Sequence, residues 1–267
     1  MTSPPMINDI FQWDVKAWST ALPFWEQKIK VIPKGNALEL GGRQGGLSLW
    51  LANKGFNVVC SDLSESEVTA KPLHQKYKLT NISYADIDAS AIPFQEHFDV
   101  IVFKSIIGGI GRFGGMDLQQ KTFDSIYKAL KPGGYLLFAE NLVASPLHQL
   151  LRKKFVKWGD TWRYVSLGEL KAFTKDFHNV EIHATGFKSA FGRTETQRSL
   201  FSMIDKTAIF MGSSKNFCYT FTNPFITCTN IEPPNRTYGT GQLNSIINRG
   251  NCDIFRDIFF FQNCINQ

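Results

Sequence analysis

Cysteine is scarce in this sequence, and its spacing follows no metal-binding or disulfide pattern. Five cysteines occur among 267 residues, an odd number, and no two of them form a C-x-x-C pair. Structural zinc sites and disulfide frameworks need cysteines in even or closely spaced sets. We therefore expect no metal site and no full disulfide framework, with the thiols at these positions in the core or on the surface: Cys60, Cys218, Cys228, Cys252 and Cys264.

Long hydrophobic runs are also missing. No stretch approaches the ~20 apolar residues that a helix needs to span a bilayer. The opening residues, MTSPPMINDIFQWD, have neither the basic start nor the apolar centre of a signal peptide. These absences predict a cytoplasmic protein that makes no use of a membrane.

The excess of positive charge is modest. Lysine and arginine number 29 against 23 aspartate and glutamate, a net charge of +6. The clearest basic cluster consists of Arg152, Lys153, Lys154 and Lys157. It is either a solvated helix face or a surface that attracts a phosphate, a nucleic acid or an acidic sugar.

The length and composition favour a single enzyme-like domain. A chain of 267 residues can form one α/β domain with additions and bury a substantial core, whereas a second full domain is not expected. Aromatic residues make up 13%, with 23 phenylalanines, which indicates an apolar pocket or lid.

One stretch, Asn36 to Ser64, organises the rest of the chain. It reads NALELGGRQGGLSLWLANKGFNVVCSDLS: a short apolar run, a glycine turn, a helix-like segment, a second apolar run and then Asp62. Glycines let the backbone approach a nucleotide closely, a helix start offers unpaired N–H groups, and an acid about 20 residues on accepts bonds from ribose hydroxyls. The stretch therefore predicts a site for an adenosine-containing cofactor.

Further strand-like and helix-like segments alternate along the chain. An amphipathic helix at 123–130 and a Lys-Pro-Gly-Gly turn separate two of the predicted strands. The alternation predicts an α/β fold, a Rossmann-like doubly wound and mostly parallel seven-stranded sheet with helices on both faces. After the two runs above, the predicted strands are 82–85, 98–103, 135–139, 179–185 and 216–221.

We divide the chain into three parts. Residues 1–34 form an N-terminal helical segment that either packs on the sheet or covers the site as a lid. Residues 35–222 form the cofactor-binding domain, with a helical insertion at about 142–177. Residues 223–267 are a tail of different composition, rich in asparagine, that is disordered, docks on the core or mediates association.

The glycine turn decides between adenosine cofactors. A dinucleotide site would need G-x-G-x-x-G, and Arg43 stands where the second glycine belongs. The pattern Glu39-x-Gly41-x-x-x-Gly45 instead resembles motif I of the class I S-adenosylmethionine-dependent methyltransferases, with Arg43 in place of the middle glycine. Asp62, Asp86-Ile87 and the Lys-Pro-Gly-Gly turn follow in the order typical of that family.

The resemblance implies S-adenosyl-L-methionine as cofactor and a role for each matching residue. Gly41 and Gly45 would line the methionine portion, Glu39 would fix its ammonium, and Asp62 would hold the ribose hydroxyls. The full set of implied cofactor residues is Glu39, Gly41, Arg43, Gly45, Asp62, Asp86, Ile87 and Lys104.

The acceptor is less well defined. We expect methyl transfer to an oxygen or nitrogen of a small polar molecule, such as a sugar or nucleotide-sugar, with Glu140 or His148 as the base if one is needed. The sequence Lys104-Ser105-Ile106-Ile107 differs from the Asn/Asp-Pro-Pro-Tyr/Phe motif of base-amine methyltransferases, so a nucleic-acid substrate is disfavoured. The predicted acceptor-binding residues are Arg152, Trp158, Trp162 and Tyr164.

Two other functions stay open at this point. The basic cluster would suit methylation of RNA or of a protein. Arg43 in the glycine turn and the unusual tail would suit a protein that binds the cofactor, or serves as a scaffold, without catalysis. The sequence leaves the oligomeric state open.

Overall fold

The computed structural model describes residues 4–143, 162–185 and 223–229. Within them one sheet runs through the molecule in the strand order β3-β2-β1-β4-β5-β7-β6. The first five strands are parallel, and the last two are antiparallel to their neighbours. The strands are β1 Asn36–Leu40, β2 Asn57–Asp62, β3 Ile82–Asp86, β4 Phe98–Lys104, β5 Leu130–Ala139, β6 Glu181–Thr185 and β7 Asn223–Thr229.

Helices connect the parallel strands and precede the first of them. The helices in chain order are α1 Pro4–Phe11, α2 Val15–Trp18, α3 Leu22–Val31, α4 Gly46–Asn53, α5 Ser66–Lys76, α6 Ile107–Ala129 and α7 Leu167–Phe173. A short 3-10 turn, Ser19–Ala21, joins α2 to α3. None of the described helices combines the length and the apolar character that crossing a bilayer requires.

The apolar runs that predicted the central strands form the buried middle of the sheet. Every residue of β1 after Asn36 is buried, and β4 is buried from Val100 to Phe103. Such runs are typical of parallel strands with helices on both faces. The described strands and helices confirm the predicted Rossmann-like α/β architecture.

Two apolar clusters cover the two faces of this sheet. The first joins the N-terminal helices to α4 and contains the fully buried indoles of Trp18, Trp25 and Trp50. The second joins α6 and α7 to the opposite side chains of β4 and β5, with Phe103, Phe123 and Phe138 in mutual contact. Trp18, Leu22 and Trp25 of the N-terminal segment therefore pack on the sheet.

The register of the parallel strands gathers their carboxyl ends at one edge. Glu39 lies opposite Cys60 and Val102, and Asp62 lies opposite Asp86. Strand β5 begins earlier than predicted, at Leu130, because the Lys-Pro-Gly-Gly turn forms an irregularity within the strand. Ligands of such sheets bind beyond this edge.

The later part of the chain differs from the prediction in two places. Residues 162–166 are extended, and Val165 forms a bridge to Leu142, so this part of the predicted insertion is not helical. The strand between β5 and β6 is Asn223–Thr229, which lies in the predicted tail. The strand predicted at 216–221 lies outside the described residues.

Candidate active site

The loop between β1 and α4 is held in a left-handed conformation at three positions. The φ angles are 61° at Gly41, 50° at Arg43 and 74° at Gly45. An added Cβ at Gly41 would lie 2.5 Å from the Cγ2 of Ile106, so a side chain there would be both strained and blocked. Arg43 adopts the same left-handed region with its side chain exposed. The loop thus keeps its turn although the middle glycine of the motif is absent.

Glu39 ties this loop to the start of α4 through hydrogen bonds. Its side chain is 3% exposed and accepts hydrogen bonds from the backbone N–H of Leu47 (3.1 Å) and Ser48 (2.7 Å), at the start of α4. Burial raises the pKa of Glu39 to about 7, and the bonds to Ser48 and Leu47 oppose that rise. The Cβ of a residue at Gly42 would lie 2.9 Å from this carboxyl, so only glycine leaves room for it.

Asp62 and Asp86 end neighbouring strands, and Ser66 joins them. Asp62 accepts the N–H of Arg43 (2.9 Å) and of Leu63 (2.7 Å). Ser66 receives the N–H of Asp62 at its hydroxyl (2.9 Å) and donates that hydroxyl to Asp86 (2.6 Å). The Ser66 hydroxyl and backbone hold the pKa of Asp86 below its ordinary value, so this carboxylate stays ionised.

These residues fit an adenosine-containing cofactor. Asp62 is only half-buried, and each of its oxygens accepts one backbone N–H, which leaves lone pairs for ribose hydroxyls. The N–H of Ile87 binds the carbonyl of Asp62 at 2.8 Å, so the ends of β2 and β3 form one continuous rim. Glycine at 41, 42 and 45 leaves the adjoining loop without side chains at these three positions.

Lys104 lies at the end of β4 and holds the N-terminal segment. Its ammonium donates to the carbonyl of Phe11 (2.7 Å) and lies 4.1 Å from the ring centre of Trp13. Its charge also opposes the rise in the pKa of Glu39. The family resemblance implied a cofactor contact for Lys104, and the structure adds a role as an anchor for residues 11–13.

Glu140 is fully buried at the end of β5. It accepts the N–H of Ile107 (2.8 Å) and of Asn141 (2.9 Å) and so caps the start of α6. Burial raises its pKa to about 7 against the effect of these bonds. Its carboxylate is thus engaged with the backbone, and the structure does not expose it to an acceptor.

Of the residues predicted to bind the acceptor, Trp162 lies at the start of α6. Trp162 packs against Gly108 and Gly109, where an added Cβ would lie 1.7 Å and 3.1 Å from its indole. Its indole nitrogen is buried and has no partner among the described residues. Tyr164 follows two residues later and is half-buried. The other predicted residues of this side, His148, Arg152 and Trp158, lie outside the described residues.

Two side chains that organise this edge were not predicted from the sequence. Ser66 links the two acids, and His74 contacts the glycine loop from α5. Ser66 sits four residues after Asp62 at the start of a helix, a spacing that could have indicated it. Nothing in the sequence around His74 distinguishes it from a surface histidine of an exposed helix.

Strand order, glycine loop and acidic strand ends together define a class: an α/β enzyme domain that binds an adenosine cofactor at the carboxyl edge of its sheet. Comparison with known proteins narrows the class. The family model described as "Methyltransferase domain" matches residues 38–138. The ubiquinone/menaquinone biosynthesis C-methyltransferase UbiE of Shewanella frigidimarina is 30% identical over 196 residues, which are 68% of this chain and 70% of that protein.

Solved structures share the fold. Phosphoethanolamine N-methyltransferase 2 of Haemonchus contortus, in complex with phosphomonomethylethanolamine and S-adenosylhomocysteine, superposes with a TM-score of 0.58 at 20% identity over 81% of this chain and 53% of that one. This chain thus spans about half the length of that protein. The YcgJ protein of Bacillus subtilis gives a TM-score of 0.54 at 14% identity over 80% and 99% of the two chains.

The chain belongs to the class I S-adenosylmethionine-dependent methyltransferases. Its cofactor is S-adenosyl-L-methionine, as motif I and the acids after β2 and β3 indicated.

Proposed function

We propose that this protein transfers the methyl group of S-adenosylmethionine to an oxygen or nitrogen of a small polar acceptor, such as a sugar or nucleotide-sugar. The single observation that carries the proposal is the continuous rim of the glycine loop, Asp62 and Asp86 at the carboxyl edge of the sheet. The cofactor, when bound, supplies an electrophilic methyl group on a sulfonium centre.

Each residue of the rim holds a different part of the cofactor. Asp62 accepts hydrogen bonds from the ribose hydroxyls, and Asp86 with Ile87 holds the adenine. Leu63, whose side chain is 70% exposed beside Asp62, offers an apolar face to the adenine ring. Glu39 keeps the glycine loop in place through Leu47 and Ser48. It acts on the methionine ammonium through the loop, since its side chain is only 3% exposed.

The acceptor approaches over the start of α6. Trp162 packs against both Gly108 and Gly109 of this helix. Arg163, the next residue, donates to Gln119 and Glu169. An aromatic face next to a hydrogen-bonded arginine suits a polar ring compound. Displacement at a sulfonium needs an acceptor held in line, and a base is required only where the acceptor must lose a proton.

A second candidate is methylation of a ring carbon of a quinone-type compound. The relative named as a ubiquinone/menaquinone biosynthesis C-methyltransferase favours it. So do two exposed apolar side chains of α6, Phe113 at 81% and Met116 at 49%, which offer contacts for an apolar acceptor.

A test of both candidates uses cofactor that carries a labelled methyl group. The purified protein is incubated with separate pools of nucleotide-sugars, small amines and alcohols, and quinol analogues, and release of S-adenosylhomocysteine is measured. Mass spectrometry then locates the methyl group. Label on oxygen or nitrogen supports the first candidate, and label on a ring carbon replaces it with the second.

Trp162→Ala tests the acceptor side, with Trp162→Phe as the matched control. We expect the alanine variant to raise the acceptor KM about tenfold, because a stacked aromatic contact is worth ~1 kcal/mol or more. The phenylalanine variant should stay within about threefold, since it keeps a ring. An unchanged KM in Trp162→Ala would remove this residue from the acceptor site. Binding to RNA without turnover of any small molecule would reject both candidates.

A further inference from the structure

A buried histidine on α5 contacts the glycine loop. His74, on α5, is 1% exposed, and both of its ring nitrogens are engaged. Nε2 lies 2.9 Å from the carbonyl oxygen of Gly45, and Nδ1 lies 2.9 Å from the hydroxyl of Tyr84 on β3. The rings of His74 and Tyr84 are stacked at 5.6 Å.

These two bonds define which nitrogen carries the proton. A carbonyl oxygen can only accept, so Nε2 of His74 donates to Gly45. Nδ1 is then the acceptor for the Tyr84 hydroxyl in the neutral ring. Burial lowers the pKa of His74, which keeps this neutral form. Tyr84 therefore orients His74, and His74 in turn holds Gly45.

Gly45 has little freedom to move away from this contact. It precedes α4 with φ 74°, and its carbonyl also accepts the N–H of Leu49 at 2.9 Å, as part of the helix. A Cβ on Gly45 would lie 2.5 Å from the Cε1 of His74 and 3.0 Å from the Cβ of Ala70. The imidazole thus fills the space behind the loop, and a different side chain at position 74 would leave a gap or displace Gly45.

The geometry points to His74 and Tyr84 as positioning residues for the cofactor. They contact no cofactor themselves. They hold Gly45 in the conformation in which the loop receives the methionine end of S-adenosylmethionine, and this inference rests on the proposed role of the loop. A loop that must be ordered at each binding event binds its ligand more weakly than one that is already in place.

Calorimetric titration with S-adenosylhomocysteine tests the inference on the full chain, beside a thermal unfolding curve for each variant. The variants are His74→Leu, which removes both bonds, His74→Gln, whose amide can still donate to Gly45, and Tyr84→Phe, which removes only the hydroxyl. The matched control is His97→Leu. His97 lies before β4, at the opposite end of the sheet, with its Nε2 3.2 Å from the Asn36 amide and its ring against Phe98.

We expect His74→Leu to raise the dissociation constant about tenfold and Tyr84→Phe to raise it about threefold. The first factor corresponds to full loss of the hydrogen bond that holds Gly45, and the second to its partial loss. His74→Gln should stay within about threefold of the wild type, and His97→Leu within about twofold although it lowers the melting temperature. A merely structural histidine would lower stability in both His74→Leu and His97→Leu without separating their dissociation constants.

Unchanged binding by His74→Leu, or equal weakening in the His97→Leu control, overturns the inference. Should His74→Leu fail to fold, Tyr84→Phe decides alone, and binding equal to the wild type counts against the pair. Failure of the wild-type protein to bind S-adenosylhomocysteine is a different result, because it rejects the cofactor site itself and the inference with it.

Discussion

Two buried glutamates occupy equivalent positions in the two halves of the edge. Glu39 lies one residue before the end of β1, in the cofactor half, which comprises β1 to β3 and their loops. Glu140 follows β5 in the acceptor half, which comprises β5, α6 and residues 162–166. Each is at most 3% exposed, each accepts backbone N–H groups at a helix start, and burial raises the pKa of each to about 7.

Their surroundings differ. The carboxyl of Glu39 lies against the glycine loop, and the charge of Lys104 acts on it. Glu140 contacts the start of α6, and the groups that act on its pKa besides burial are backbone N–H groups of 106–108 and Asn141. An acid near the carboxyl end of a parallel strand thus holds backbone N–H groups in both halves, and the charged group near it differs between the halves.

The largest effect should come from blocking the cofactor half at its tightest point. Gly41→Val places a branched side chain at φ 61° and within 2.5 Å of Ile106, so we expect S-adenosylhomocysteine binding to fall by more than about 100-fold. Gly55→Ala is the control, since Gly55 has φ 90° but no atom within 4 Å of an added Cβ. It should lose some stability and keep its affinity. Calorimetry that finds normal binding in Gly41→Val would contradict the loop assignment.

The pH dependence of stability should show what the glutamates share. The folded pKa of about 7 lies above the ordinary value of 4.5, so between these values the folded protein holds protons that the unfolded chain releases. The free energy of unfolding should therefore fall as pH rises through this window, by up to ~1.4 kcal/mol per pH unit for each glutamate.

Urea unfolding between pH 4.5 and 7 measures that slope. Burial of neutral His74 gives a slope of opposite sign just below 6.5, its ordinary pKa, but it is the same in all variants. Glu39→Gln and Glu140→Gln should each remove about half of the glutamate slope. An unaltered slope in both variants would show that the two carboxyls titrate as exposed groups do, and would contradict the raised pKa of each.

Affinity should then show what the glutamates do not share. Both glutamine variants keep one acceptor oxygen, and each should lose about 1–3 kcal/mol of stability because a backbone N–H is left without its partner. Only Glu39→Gln should also weaken S-adenosylhomocysteine binding, by about tenfold, because the glycine loop depends on Glu39. Equal dissociation constants in the two variants would show that the halves are not functionally distinct.

The sequence was a good guide to the sheet and to its acidic edge. Apolar runs and glycine turns predicted the bounds of β1 to β4 to within two residues, because strands buried on both faces leave an unambiguous pattern. The motif residues Glu39, Gly41 and Asp62 meet at one edge because parallel strands bring their carboxyl ends together.

Contacts between residues far apart in the sequence could not be predicted in the same way. The bond from Lys104 to Phe11 joins residues 93 positions apart, and that from His74 to Gly45 joins residues 29 apart. Neither pair forms a local pattern. The engagement of Glu140 with α6 was hidden for a related reason, since a helix start made of Ile107 and Gly108 gives no capping signal of its own.

The most direct test of the central claim is calorimetric titration of the wild-type protein, Asp62→Ala and Asp88→Ala with S-adenosylhomocysteine, with NAD as the control ligand. Asp88 lies just beyond the edge and bonds Ser90, so its loss removes an acid without touching the rim. We predict micromolar binding by the wild type and by Asp88→Ala, no response to NAD, and at least about tenfold weaker binding by Asp62→Ala, which loses its charged bonds to the ribose. Equal binding by Asp62→Ala and Asp88→Ala, or a preference for NAD, would contradict the assignment of this edge as the S-adenosylmethionine site.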